Sequence, residues 1–281
     1  MDPHDHLPTI DWGPHMIKKI LLSRSAADNR LTASMSRYNS DMALSQYADL
    51  HFGAERFGVA NFHRELVGRG VSQLEPETRR RALDLGCALG RASFELAESF
   101  AAVIAVDLSE RFIAAAKHLQ AKGEYFYQQM EEGELLAKRC VRLTDFGFSE
   151  ACHKIKFMQG NVLELNEDMG KFDLILAANL IDRLPDPEQF LAGVHQYMIS
   201  GGVLVIASPY DWQERFTPKP KWLGGHYRAG LPVTSLEGVS RLLEPRFTMI
   251  GKPYDLPFVV CENSRRYCHG ISEVTCWRYR G

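Results

Sequence analysis

Arg81-Ala82-Leu83-Asp84-Leu85-Gly86-Cys87-Ala88-Leu89-Gly90-Arg91 is the stretch on which the fold turns. It begins as a short apolar run of the kind that forms a buried strand, and it breaks at a glycine turn. From Arg91 to Phe100 the apolar residues return at helical spacing. Gly86 and Gly90 leave the backbone bare, so a ligand can lie against the turn. Their Gly-x-x-x-Gly spacing departs from the Gly-x-Gly-x-x-Gly fingerprint of dinucleotide sites, and no phosphate-loop lysine is present. Asp84 stands at the strand end, where a carboxylate can face a cation or accept a hydrogen bond. A second apolar strand, 101–106, leads into Asp107. An ionised acid only accepts hydrogen bonds, so Asp107 is suited to take both hydroxyls of a ribose. The competing reading makes Asp107 a helix-capping acid. Ser109 is placed to cap a helix over 111–121, whose alanine-rich composition favours it.

Outward from this point, strand and helix patterns alternate over most of residues 81–207. That rhythm predicts a mostly parallel sheet with helices on both faces. Further strands are expected at 155–158, 172–177 and 203–207, with a helix over 186–199 that Ser200-Gly201-Gly202 closes. A helix at 234–243 and strands at 247–250 and 273–278 complete the pattern. Residues 122–153 interrupt it, and their Glu, Lys, Arg and Leu predict a helical insertion, centred on 130–143. Upstream, Ser40-Asp41 can cap a helix to about Leu50, and a second is expected over 62–67. Residues 1–35 read as an arm, 36–80 as a helical cover, and 36–281 as one domain. In such sheets ligands sit beyond the carboxyl ends of the strands, near 84–91, 107–109, 159–162, 178–183 and 208–225.

Composition narrows the function. The 281 residues carry 33 basic and 35 acidic side chains, a net charge of −2. No bulk field is available for nucleic acid. The first residues lack a signal-peptide pattern, and the run 16–22 is too short and too charged to span a bilayer. Six scattered cysteines form no C-x-x-C pair, no His/Cys set has zinc spacing, and the thiols read as reduced in the cytoplasm. No metal is expected.

The glycine turn and the two strand-end acids resemble the class I methyltransferases that use S-adenosylmethionine (SAM). This likeness spans roughly residues 80–210 and implies a Rossmann-like, doubly wound sheet of seven mostly parallel strands. It implies that the turn lines the methionine part of SAM, that Asp107 holds the ribose, and that Gly160-Asn161-Val162 meet the adenine. The implied cofactor residues are Asp84, Gly86, Cys87, Gly90, Arg91, Asp107, Leu108, Asn161, Val162 and Asn179. An ordinary turn role competes for Asn161.

Further segments are more specific. They are Arg37-Tyr38-Asn39-Ser40-Asp41, Gln46-Tyr47, His51-Phe52-Gly53, Phe57-Gly58-Val59-Ala60-Asn61-Phe62 and Ala178-Asn179-Leu180-Ile181-Asp182-Arg183. Downstream stand Ser208-Pro209-Tyr210-Asp211-Trp212, Phe216-Thr217-Pro218 and Lys221-Trp222-Leu223-Gly224-Gly225. Over about residues 35–280 they resemble the 4-mercaptohistidine N-methyltransferases, which complete ovothiol by methylating the ring of a thiolated histidine. The resemblance implies an amino-acid substrate and a functional link to a separate iron-dependent sulfoxide synthase. The sequence holds no H-x-x-x-H-x-E iron motif, so a free-standing final-step enzyme is expected. Candidate catalytic residues are Asn179, Asp182 and Tyr210. Candidate substrate residues are Tyr38, Tyr47, Arg183, Trp212 and Trp222, with Arg183 or Trp222 holding the sulfur away from the methyl. Capping competes for Asn179 and Asp182, packing for the tyrosines and tryptophans, and a structural role for His51. Another acceptor, a non-catalytic SAM-binding domain and a nicotinamide oxidoreductase are the rival functions.

Overall fold

Capping residues and apolar runs place the elements where the sequence predicts most of them. The computed structural model describes Tyr38 and residues 40–281. The expected arm over 1–35 therefore lies outside the described residues. Ser40 opens α1 (Asp41–Phe52) by accepting the Ala43 amide, and Asn61 opens α2 (Phe62–Val71) by accepting the Arg64 amide. Then follow β1 (Arg81–Leu85), α3 (Arg91–Ser99), β2 (Ala102–Asp107) and α4 (Glu110–Lys122), the last capped by Ser109. An antiparallel pair, β3 (Glu124–Glu132) and β4 (Leu135–Arg142), leads to β5 (Ile155–Gln159), β6 (Phe172–Ala178) and α5 (Pro187–Gly193). The chain ends with β7 (Met198–Ser208), the short pair β8 (His226–Arg228) and β9 (Leu231–Val233), α6 (Ser235–Leu243), β10 (Phe247–Asn263) and β11 (Arg266–Tyr279).

Seven strands form one sheet in the order β10-β11-β7-β6-β1-β2-β5. It is a Rossmann-like α/β sheet, parallel except at β11, which pairs antiparallel with both neighbours. Both faces are covered. Phe52, Phe62, Leu66, Phe94 and Phe157 belong to the core on one side, and Ile181, Phe190, Leu243, Phe247 and Trp277 to the core on the other. This double burial is why the central strands read as unbroken apolar runs. The strand order reverses between β1 and β6, so the carboxyl ends of β1, β2, β6 and β7 flank the switch point.

Three expectations are corrected. Residues 124–142 form a hairpin rather than a helix. Gly133 turns the chain at φ 55°, and aromatic Tyr125, Phe126 and Tyr127 favour a pleated strand. The charges that resemble helical pairs act across the strands: Arg139 bonds Glu131 at 2.6 Å and Gln129 at 2.9 Å, and Lys138 lies over the Phe126 ring. The expected helix over 186–199 is one α-helical stretch capped by Asp186 and a 3-10 turn at Val194–Tyr197. Ser200-Gly201-Gly202 then lie inside β7 rather than ending a helix. Finally, the last two strands are far longer than expected. β11 pairs with β7 only from Glu273 to Arg278, so the rest of the β10–β11 hairpin overhangs the carboxyl edge of the sheet. There it meets α1 and β3, with Gln129 Nε2 2.9 Å from Asp49 and 3.2 Å from Cys261 Sγ.

Candidate active site

The glycine turn wraps around the end of β2. The Gly86 and Cys87 amides both donate to the Val106 carbonyl, at 2.8 and 3.1 Å. Asp107 then fixes the turn: its carboxylate accepts the Ala88 amide at 2.9 Å and the Ser109 amide at 2.8 Å. Gly90 has φ +85°, and a Cβ there would fall 2.6 Å from the Phe157 ring, so only glycine fits. Strain gathers at this edge. Of five non-glycine residues with positive φ among the described residues, three (Ala88, Asn179 and Tyr210) follow β1, β6 and β7, and such outliers cluster at functional sites. The loop after β5 joins the group, because the Gly160 amide donates to the Asp107 carbonyl at 2.8 Å. Burial raises the Asp107 carboxyl to about 6, against the lowering effect of its two amide partners. Each Asp107 oxygen has further acceptor capacity, which suits the hydroxyls of a nucleoside ribose.

A cover of aromatic rings adjoins this turn. Tyr38 stacks on Phe216 at 6.1 Å and meets Tyr47 edge-on at 6.0 Å, while the Tyr47 and Phe112 rings lie 4.9 Å apart. Burial raises the Tyr47 pKa, Tyr38 adds to the rise, Arg183 opposes it and Asp107 reinforces it. Residues from α1, β2 and the β6 loop thus converge on one phenol.

The other side of the switch point is built by β6, β7 and β11. Arg183 reaches Asp182 at 2.9 Å and Asp211 at 3.0 Å, and its guanidinium rests 5.0 Å from the Phe216 ring centre. Asp182 is 0% exposed; its Oδ2 also accepts the Asp211 amide at 3.1 Å, but its Oδ1 has no hydrogen-bond partner. Leaving a buried acceptor unmet costs about 1–3 kcal/mol. Burial raises the Asp182 pKa, and Arg183 lowers it. Asn179 Oδ1 accepts the Ser272 hydroxyl at 2.7 Å, and the Tyr210 hydroxyl donates to Glu273 Oε1 at 2.9 Å.

Most of the other expected residues have partners within the protein. Asp84 is sealed within the protein, where it accepts the Ser93 hydroxyl at 2.6 Å, and burial raises it to about 7. It braces the turn against α3 and faces no cation. Arg91 directs its side chain to Glu95 at 2.7 Å and to the rings of Phe52, Phe146 and Phe148, which docks α1 on α3. Cys87 is buried, with its Sγ on the Ala88 carbonyl. The Leu108 carbonyl accepts from Gln159, the Asn161 side chain accepts the Leu163 amide at 3.1 Å, and Val162 packs on the core. Trp212 and Trp222 stack at 6.5 Å, but their indole N–H groups are occupied by Ser235 and by the Thr217 carbonyl. Burial and then Glu273 hold the Tyr210 phenol well above its usual value, so it orients rather than removes protons. His51 accepts the Arg91 amide at 3.2 Å and stands in the packing between α1 and α3. Sequence reasoning overlooked Phe112, Asp211, Ser272 and Glu273. Asp211 adjoins Tyr210 in the sequence, whereas the pairing of β11 brings in Ser272 and Glu273 and the packing of α4 on α1 brings in Phe112. An open groove of about 440 Å³ between α1 and the β3–β4 hairpin shares no lining residue with this set.

The comparisons agree with this geometry. Residues 83–204 match the family model described as a methyltransferase domain. The ubiquinone biosynthesis O-methyltransferase of Caulobacter sp. (strain K31) is 28% identical over 152 residues, 53% of this chain and 47% of that protein. The chain spans about half the length of the curated relatives it matches. Among solved structures, the N-methyltransferase NodS of Bradyrhizobium japonicum WM9, in complex with S-adenosyl-L-homocysteine, has a TM-score of 0.53 at 16% identity, covering 90% of this chain and all 100% of that one. The magnesium protoporphyrin IX methyltransferase of Synechocystis PCC 6803 with bound SAM has a TM-score of 0.53 at 14% identity, covering 91% and 99%. At these identities the two structures establish the fold. Among the described residues no helix is long and apolar enough to cross a membrane.

Proposed function

We propose that this chain, a SAM-dependent methyltransferase by its matched domain and its fold, methylates the imidazole nitrogen of 4-mercaptohistidine to give ovothiol A. The observation that carries the reading is convergence. Tyr38 and Tyr47, Asn179 with Asp182 and Arg183, and Tyr210 come from the separate segments of the specific resemblance, and the fold gathers them along one edge. SAM supplies a methyl group on a sulfonium sulfur, which keeps the electron pair when the ring nitrogen takes the methyl.

The chain's own residues hold and aim. Asp107 receives the ribose hydroxyls, and the bare backbone from Gly86 to Gly90 accommodates the amino-acid end. The aromatic cover of Tyr38, Tyr47 and Phe216 excludes water from the transfer line. Orienting two reactants can remove up to ~7–11 kcal/mol of barrier. The thiolated ring offers a softer nucleophile in its sulfur, so the site must hold the sulfur away. Arg183 is the donor for that task, since the Trp222 N–H is already occupied. Asn179, held by Ser272, orients the acceptor, and Asp182 takes the proton that the ring must release. A separate sulfoxide synthase would supply the substrate, and the reaction belongs in the cytoplasm.

A small-molecule phenol is the second reading, favoured by the similarity to an O-methyltransferase. One assay separates them: purified protein and SAM with 4-mercaptohistidine, histidine or a catechol, the products identified by mass spectrometry and NMR. Rapid N-methylation of mercaptohistidine alone is expected. Equal turnover of histidine, a mainly S-methylated product, or methylation of the catechol alone would sink the proposal.

A further inference from the structure

We infer that Asp182 and Glu273, grouped about Tyr210, form a subsite that accepts the N–H groups of a positively charged nitrogen on the methyl acceptor. The inference rests on the methyl-transfer reading and adds the acceptor's charge to it.

Asp182 supplies the first observation. It is wholly buried, Arg183 and the Asp211 amide share its Oδ2, and Oδ1 has no donor. Buried polar atoms in folded proteins are nearly always met, so this oxygen marks a place for a donor that the chain itself does not provide. A carboxylate can be satisfied only by N–H or O–H groups.

Glu273 supplies the second. It lies opposite Ser208 in the β11–β7 register, and so at the carboxyl edge of the sheet. One of its oxygens takes the Tyr210 hydroxyl, which fixes the carboxylate and leaves its other oxygen to a ligand. The Tyr210 hydroxyl on Glu273 and the Asp211 amide on Asp182 come from adjacent residues, which brings the two carboxylates to the same turn after β7.

The charge count supplies the third. Asp182, Asp211 and Glu273 gather here, and Arg183 is already paired with two of them. Arg215, the other cation near by, is exposed and lies on the Phe216 ring. The excess of carboxylates in a partly buried site attracts a cation and repels an anion. An ammonium group, as on a free amino acid, fits this field, and a phenolate or a lone carboxylate does not.

Calorimetry with S-adenosylhomocysteine present tests the subsite. Two probe pairs differ in the amine: histidine against imidazolepropionate, and tyramine against hydroxyphenylacetate. Each amine should bind at least about tenfold more tightly than its partner, and Glu273→Gln and Asp182→Asn should each reduce the preference to below about threefold. S-adenosylhomocysteine affinity, unchanged in the variants, reports that they are folded. The subsite is overturned if the anionic probes bind as well as the amines, if the preference survives both substitutions, or if no amine saturates at millimolar concentration. Mercaptohistidine separates the two claims. If it is not turned over while the amine preference depends on Glu273, the substrate reading fails and the subsite stands. If Glu273→Gln methylates it with the wild-type kcat and KM, the subsite fails and the substrate reading stands.

Discussion

Asp107 joins two tasks in one carboxylate. Its oxygens hold the Ala88 and Ser109 amides, so it maintains the left-handed Ala88 and the shape of the glycine turn. Burial raises its pKa from 3.8 to about 6. For an acid raised on folding, the sign is unfavourable at high pH: the stability it contributes is full below pH 3.8 and is lost as pH rises through about 6. Ribose hydroxyls donate to the ionised form and would favour it. Cofactor affinity should therefore fall as pH drops below about 6, approaching tenfold per pH unit. Titration calorimetry with S-adenosylhomocysteine from pH 5 to 8 measures this, and Asp107→Asn should both weaken binding and flatten the profile. A pH-independent affinity in the native protein would show that Asp107 does not carry the ribose. Asp84, raised to about 7, is the neighbouring acid that could confuse the result, but it is engaged with Ser93 inside the protein.

At the scale of elements, the docking of α1 and α2 on α3 depends on two buried histidines. The His51 and His63 rings lie 4.0 Å apart, near the Arg91 guanidinium, with Glu95 as the acid that pairs Arg91. Burial and then Arg91 lower His63 from 6.5 to about 3, and burial, His63 and Arg91 lower His51. A histidine lowered on folding contributes stability that is full above pH 6.5 and is lost as pH falls toward about 3. At pH 5 one such group costs about 2 kcal/mol, on the order of 5 °C in Tm for a domain of this size. His63→Leu should remove most of that acid loss in thermal melts between pH 7.5 and 5, and an unchanged slope would refute it. The elements also show what the sequence made legible. β1, the glycine turn, β2 and the Ser109 cap are local signals, with their meaning carried by adjacent residues. The β3–β4 hairpin was not legible, because Glu, Lys and Arg at short spacing suit both a helix face and cross-strand pairs. Asp84 was legible in part, as an acid that faces a cation or accepts a hydrogen bond. Its place at the strand end was clear, but Ser93 on the next helix decides which way it faces. Ser272 and Glu273 lay beyond local reading, since they meet Asn179 and Tyr210 across sequence separations of 93 and 63.

Across the whole molecule, the strand order divides the labour. β1, β2 and β5 carry the glycine turn, Asp107 and the Asn161 loop, while β6, β7 and β11 carry Asn179, Tyr210, Ser272 and Glu273. The switch between β1 and β6 is where the halves meet, and the proposed reaction puts methyl transfer there. The second half is complete only when the C-terminal hairpin closes the sheet, with Trp277 wholly buried at the join. Catalysis and cofactor binding should therefore be separable by substitution. In the proposed reaction Ser272 is a positioning residue, its hydroxyl donating to Asn179. Ser272→Ala should leave S-adenosylhomocysteine affinity within about threefold, while kcat falls about tenfold because Asn179 loses the bond that aims it. Steady-state kinetics beside calorimetry on the same preparation would read both numbers. A parallel loss of cofactor affinity and turnover would mean that the two halves act as one unit, and the division of labour drawn from the strand order would be wrong.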